Sequence, residues 1–174
     1  MSTRDRPVSA SLDIILFLKD VALFESLSSS QLAEVARLAE RVDVPEGRSL
    51  VNQGEPADCL YLIRRGKVRV ITNGQEVARL GTGECTGEMA VLAGTERTAT
   101  TETLEPCQLL RFDADDFLAL LDTYPEIQRA LLKSMVMRLA QSGRAKDNKR
   151  ASTIIGMVWG KDGPVEKPDG GQQG

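Results

Sequence analysis

No histidine occurs among the 174 residues. Its absence removes imidazole acid–base catalysis, histidine-bearing triads and histidine-rich metal sites, leaving carboxylates, lysines and thiols for any chemistry. Cysteine is scarce: Cys59, Cys85 and Cys107 are odd in number and far apart, against both a disulfide framework and a CxxC metal site. They read as buried apolar thiols of a cytoplasmic protein. Long hydrophobic runs are missing as well. The run Ile14 to Leu18 is interrupted by Lys19 and Asp20, too short for a signal peptide or a membrane span. Nor is there a surplus of positive charge: 22 Lys and Arg against 25 Asp and Glu leave −3, so no chain-wide field favours DNA or RNA. With no clustered catalytic carboxylates and no nucleophile elbow, the chain reads as a non-enzyme that needs no metal.

What is present is enough apolar residue, 41%, for one hydrophobic core with tails. Residues 12–26, LDIILFLKDVALFES, read as a short apolar helix running into a turn. In LSSSQLAEVARLAERV, Ser28 and Gln31 fit a capping box, and Leu32, Val35, Ala36 and Ala39 share one helical face. From Val42 the period changes to short runs cut by Pro45, Gly47, Gly54, Gly66, Gly74 and Gly81, the pattern of strands and turns. Asn73-Gly74, between KVRVIT and QEVARL, is the strongest hairpin signal, because a type I′ turn needs positive φ at both central residues. Val68 and Val70 alternate there with Lys67 and Arg69, giving one buried face.

TATTETLEPCQLLRF supplies further strand, and the β region ends near Asp113. Helical spacing then returns, with Pro125 in the first turn of a second helix. Leu132, Met135, Leu139 and Ser142 form one seam, with Ile127, Ala130 and Leu131 beside it. The seam either covers the β core or pairs with a second copy, which leaves a homodimer through the C-terminal helix open. The expected organisation is a disordered N-terminus over 1–11 and one domain over 12–145. That domain comprises a helical lead-in at 12–40, a β region at 41–113 and closing helices at 114–145. Residues 146–174 read as a flexible tail around an apolar island, 154–159, that carries the only tryptophan and either docks a partner or packs on its own domain.

One segment carries chemistry. In GEMAVLAGTERTAT, residues 87–100, Glu88 and Arg97 flank an apolar stretch too short for an ordinary helix. A phosphate diester is held by free backbone N–H groups at a helix start, a guanidinium spanning two oxygens, and a carboxylate or hydroxyl for the neighbouring sugar. Gly87 lets backbone approach a ligand closely, Glu88 opens one or two helical turns, and Arg97 returns across the mouth beside the Thr98 hydroxyl. A surface Glu88–Arg97 pair, contributing less than about 1 kcal/mol, would satisfy the same spacing.

The context of that segment resembles the cyclic-nucleotide-binding domain family, over roughly residues 12–142. LKDVALFESLSSSQL is similar to its N-terminal helices, and VPEGRSLVNQGEPADCLYLIRRGKVRV to its first strands. GECTGEMAVLAGTERTATTETL is similar to its phosphate-binding cassette, and DFLALLDTYPEIQRALLKSMVMRLAQ to its closing helices. The resemblance implies an α+β, mainly β fold: an antiparallel β-roll of jelly-roll type flanked by N-terminal and C-terminal helices. By position it implies that Glu88 bonds the ribose 2′-hydroxyl and Arg97 the exocyclic phosphate oxygens. Gly87, Met89 and Ala90 would offer backbone contacts, and Thr98 and Ala99 would close the far side.

Thr86 stands where the family often has an aromatic or aliphatic residue, which implies looser packing behind the cassette. A buried, unpaired Arg97 would cost several kcal/mol, so its presence implies that the phosphate is still bound. Thr98 suits cyclic GMP or cyclic AMP; Ser142 falls near the closing-helix hydroxyl that contacts adenine in catabolite activators, and the balance leans to cyclic AMP.

Only 32 residues follow Ser142, and GKDGPVEKPDGGQQG is not a pair of helices, so no helix-turn-helix unit is expected. The basic cluster GRAKDNKR reads as a solvated helix end. The expected function is a stand-alone regulatory sensor that binds cyclic AMP or cyclic GMP and couples movement of its C-terminal helices to a partner protein. The alternative is an adaptor with a vestigial pocket that binds a partner through its surface or tail.

Overall fold

A computed structural model describes residues 12–144, apart from the side chains of 139 and 141–144. The expectations for 1–11, for the tail 146–174 with its island 154–159, and for most of the basic cluster lie outside the described residues. The chain divides into two compact units, Met1–Leu132 and Lys133–Gly174.

The first unit opens with α1 (Leu12–Lys19), a 3₁₀ turn (Ala22–Phe24) and α2 (Ser29–Leu38). Ser28 caps α2 as its sequence dictates: its hydroxyl accepts from Gln31 N–H at 3.3 Å, and its own N–H donates to Gln31 Oε1 at 2.8 Å. Leu32, Val35 and Ala36 are buried on one face. Ala39, expected on that face, lies beyond the helix in extended backbone (φ −78°, ψ 128°). The residues after it, β1 (Glu40–Val44), are claimed by pairing with the strand at Cys107–Asp113, which overrides the helical period.

The strands β2 (Ser49–Val51), β3 (Cys59–Arg65), β4 (Val68–Thr72), β5 (Gln75–Leu80), β6 (Cys85–Thr86), β7 (Thr100–Thr103) and β8 (Cys107–Asp113) complete two four-stranded antiparallel sheets. Their orders are β1-β8-β3-β6 and β2-β7-β4-β5. Asn73 (φ 51°) and Gly74 (φ 77°) form the β4–β5 hairpin turn with positive φ at both positions. Ile63, Val68, Leu80, Cys107 and Leu109 make a core cluster, with Val42, Val44, Leu50, Tyr61 and Val70 packed against it. The alternate residues of β3 and β8, Leu60, Leu62, Leu110 and Phe112, are buried too, and Phe112 meets Phe117 of the helix that follows β8 at a ring separation of 6.2 Å. This α+β, mainly β arrangement is the β-roll fold.

Between β6 and β7 lies α3 (Glu88–Ala93); α4 (Ala114–Thr123) and α5 (Pro125–Arg144) follow β8. Pro125 opens α5, where its missing N–H costs nothing. The Tyr124 hydroxyl between α4 and α5 donates to Glu34 of α2. Of the two α5 stripes, Ile127 and Leu131 are buried and Ala130 half-buried, whereas Leu132 is exposed and Met135 half-buried. The second unit, in its described part, is the continuation of α5 with Val136 and Met137 exposed. Cys59, Cys85 and Cys107 are all buried, and none of them is in a disulfide. No helix among the described residues is long and apolar enough to cross a membrane.

Candidate functional site

Strand β6 ends at Thr86, and the next residue, Gly87, turns the chain into α3 with a φ of 84° and a ψ of −5°. A Cβ here would lie 2.8 Å from Arg97 Nη1 and 3.4 Å from the Cys59 carbonyl oxygen, so the turn and the close approach both require glycine. The helix is six residues long and stops at Gly94 (φ 63°). The chain then returns along the turn between β2 and β3: Arg97 N–H donates to Glu55 O at 2.7 Å, and Gly54 N–H donates to Arg97 O at 2.9 Å. Arg97 is therefore fixed through its main chain on both sides before its side chain makes any contact.

That side chain turns back toward the start of α3. Nη1 donates to Cys59 O at 2.6 Å and to Gly87 O at 3.3 Å, while Nη2 donates to Asp58 Oδ1 at 3.1 Å and meets Cys59 Sγ at 3.4 Å. The Arg97 side chain is only 3% exposed, against 74% for Asp58. Burial pushes the Asp58 carboxyl up, but hydrogen bonding by Cys59 and its own backbone, with the Arg111 and Arg97 charges, outweighs that and holds it below its ordinary value. A second guanidinium approaches the same carboxylate, with Arg111 Nη2 3.7 Å from Asp58 Oδ2.

Gly87 and Arg97 are thus in direct contact. Glu88 and Ala90 are buried beside them in α3, Met89 is half-buried, and Thr98 and Ala99 follow Arg97, half-buried, toward β7. Ser142 belongs to α5, and its side chain lies outside the described residues. Both Glu88 and Arg97 are buried, so a surface ion pair does not explain their spacing, and the carboxylate facing Arg97 is that of Asp58. The expectation that Arg97 would be unpaired without a phosphate is corrected for the same reason: a carboxylate and two carbonyls already receive its donors. Looser packing behind Thr86 is also corrected. Its buried hydroxyl lies 2.9 Å from that of Thr101, a polar contact in place of an apolar one.

Asp58, Cys59 and Arg111 escape sequence reasoning. They stand 39, 38 and 14 positions from Arg97, and only the pairing of β3 with β6 and β8 assembles them. Among the described residues no group of His, Cys, Asp or Glu is arranged to hold a metal ion.

Comparison with known proteins gives four results. The family described as "Cyclic nucleotide-binding domain" matches residues 41–124. An uncharacterized NTE family protein of Mycobacterium tuberculosis is 32% identical over 162 residues, covering 92% of this chain but only 28% of that protein's length. The cyclic AMP receptor protein of Thermus thermophilus is 32% identical over 130 residues, 72% of this chain and 60% of its own. Among solved structures, the catabolite activator protein of Thermus thermophilus superposes with a TM-score of 0.63 at 32% identity, over 71% of this chain and 61% of the other.

Proposed function

Residues 41–124 of this chain are a cyclic nucleotide-binding domain, and from that premise we propose that it binds cyclic AMP at the α3 turn and relays the binding to a partner protein. Such a domain is a regulatory fold rather than a catalytic one. The observation that carries the proposal is the buried Arg97 guanidinium, held against the left-handed Gly87 at the start of α3. A guanidinium and the first N–H groups of a short helix are the donors that a cyclic phosphate needs. In this reading Arg97 takes the exocyclic oxygens and Glu88 the ribose 2′-hydroxyl. Gly87, Met89 and Ala90 contribute backbone, Thr98 and Ala99 close the far wall, and Ser142 meets the base. The likeness to a cyclic AMP receptor protein supports cyclic AMP over cyclic GMP.

The exposed residues Leu132, Val136 and Met137 of α5 support a protein contact there, with a second copy or with a different partner. The same binding step serves a sensor acting alone and a regulatory domain of a longer assembly. A second reading, an adaptor with a vestigial pocket, is favoured by one observation: Arg97 is already partnered within the chain by Asp58, Cys59 and Gly87.

Calorimetric titration of the chain with cyclic AMP and cyclic GMP, beside Arg97→Ala, separates the two. Micromolar or tighter binding that the variant loses supports the sensor. No heat and no thermal shift with either nucleotide supports the adaptor.

A further inference from the structure

Arg111 projects from β8 and is 19% exposed, yet three carboxylates surround it. Its Nη1 donates to Asp113 Oδ1 at 2.5 Å and to Glu40 Oε2 at 3.5 Å, while its Nη2 lies 3.7 Å from Asp58 Oδ2. Asp113 is also the N-cap of α4, with the extended backbone (φ −63°, ψ 145°) from which an aspartate ordinarily accepts the N–H of the second or third helical residue. It makes no such bond. Arg111 holds its carboxylate instead, and the first N–H of α4, that of Ala114, donates to the Asp58 carbonyl at 2.9 Å. Asp58 therefore touches the cassette arginine with its side chain and the start of α4 with its main chain.

Resting on the reading of Arg97 as the phosphate anchor, we propose that Arg111 is a positioning residue that couples phosphate capture to the capping of α4. A phosphate on Arg97 competes with the Asp58 carboxylate for Nη2. The displaced carboxylate has its nearest other cation in Arg111, already within ion-pair distance on its second oxygen. As Asp58 closes on Arg111, the hold on Asp113 weakens. The Asp113 carboxylate then turns to accept the N–H groups of Asp115 or Asp116, which stabilises the first turn of α4. The ligand signal thereby reaches the closing helices through an exchange of carboxylates on one guanidinium, with Glu40 holding Arg111 in place.

Amide hydrogen exchange at residues 115 and 116 of the full chain, with and without cyclic AMP, tests this beside calorimetry on the same samples. In the unaltered chain, cyclic AMP should slow exchange at these amides by about fivefold, the effect of gaining one N-cap bond. Arg111→Gln should show slow exchange before any nucleotide is added and no further slowing. Its affinity should fall, because Asp58 then has no second cation to move to, and a further Asp58→Asn change should restore it. Asp113→Asn, which keeps a capping residue that Arg111 no longer holds by charge, gives the same exchange result if the arginine variant does not fold. Measured cyclic AMP binding with unchanged exchange at 115 and 116, or an unaltered response in the Arg111→Gln and Asp113→Asn proteins, overturns the coupling and leaves the binding proposal intact. Absence of binding overturns both.

Discussion

The hydroxyls of Thr86 and Thr101 lie 2.9 Å apart and join the two sheets, since Thr86 belongs to β6 and Thr101 to β7. Both residues are buried, so neither hydroxyl has water to fall back on. Thr86→Val should cost about 1–3 kcal/mol, because it strands the Thr101 hydroxyl. Changing both to valine removes the orphan and should recover most of that loss. Urea unfolding of the two single variants and the double variant measures the difference, and additive losses would show that the contact is not the source.

Gly87→Ala tests the cassette turn. The left-handed backbone disfavours any side chain by about 1–2 kcal/mol, and the new methyl group would meet the Arg97 guanidinium at 2.8 Å. The expected outcome is a fold that survives with a lower Tm and a nucleotide affinity reduced at least as much as stability. Affinity unchanged in a folded variant would detach Gly87 from the site.

Asp58→Asn tests whether the carboxylate competes with the ligand. Asparagine can still accept from Arg97 but no longer offers a charge, so a phosphate has less to displace. Tighter cyclic AMP binding is expected, measured by calorimetry beside the unaltered chain. Weaker binding would mean that Asp58 orients Arg97 instead of opposing the nucleotide.

Tyr61 sets an alkaline limit. Burial, followed by the neighbouring Cys59, pushes its phenol from the ordinary 10.0 up to about 12, against the opposing pull of Arg111. The folded chain therefore keeps a proton that the unfolded chain releases first. The associated stability is complete below pH 10 and is lost as pH rises from 10 toward 12. Tyr61→Phe should flatten the fall of Tm over that interval, and an unchanged slope would place the alkaline loss elsewhere.

Local chemistry is what the sequence makes legible. The Ser28–Gln31 capping box and the Asn73-Gly74 turn each depend on residues close together in the chain, and both form. The nearness of Gly87 to Arg97 is likewise legible, because a short helix closed by Gly94 returns the chain to its starting point. Asp58 and Arg111 are not, since nothing in PADCLYL or QLLRFDAD distinguishes a carboxylate or guanidinium aimed at the cassette from one aimed at solvent. Their register across β3, β6 and β8 is a tertiary fact. Ala39 shows the converse: a helical period continues through it, but strand pairing one residue later decides its conformation.

The sheet orders also bear on behaviour at high concentration. The four edges are β1, β6, β2 and β5, and each is poor at recruiting a stranger's backbone. Strand β6 has two residues and β2 three, while β1 alternates Glu40, Arg41 and Asp43 with its valines and β5 carries Glu76 and Arg79. Short or charged margins of this kind give an incoming strand little length to zip along and a charge to bury if it tries. Among the described residues the two sheets are thereby guarded against sheet-to-sheet growth, and fibril formation from these strands should require the roll to open first.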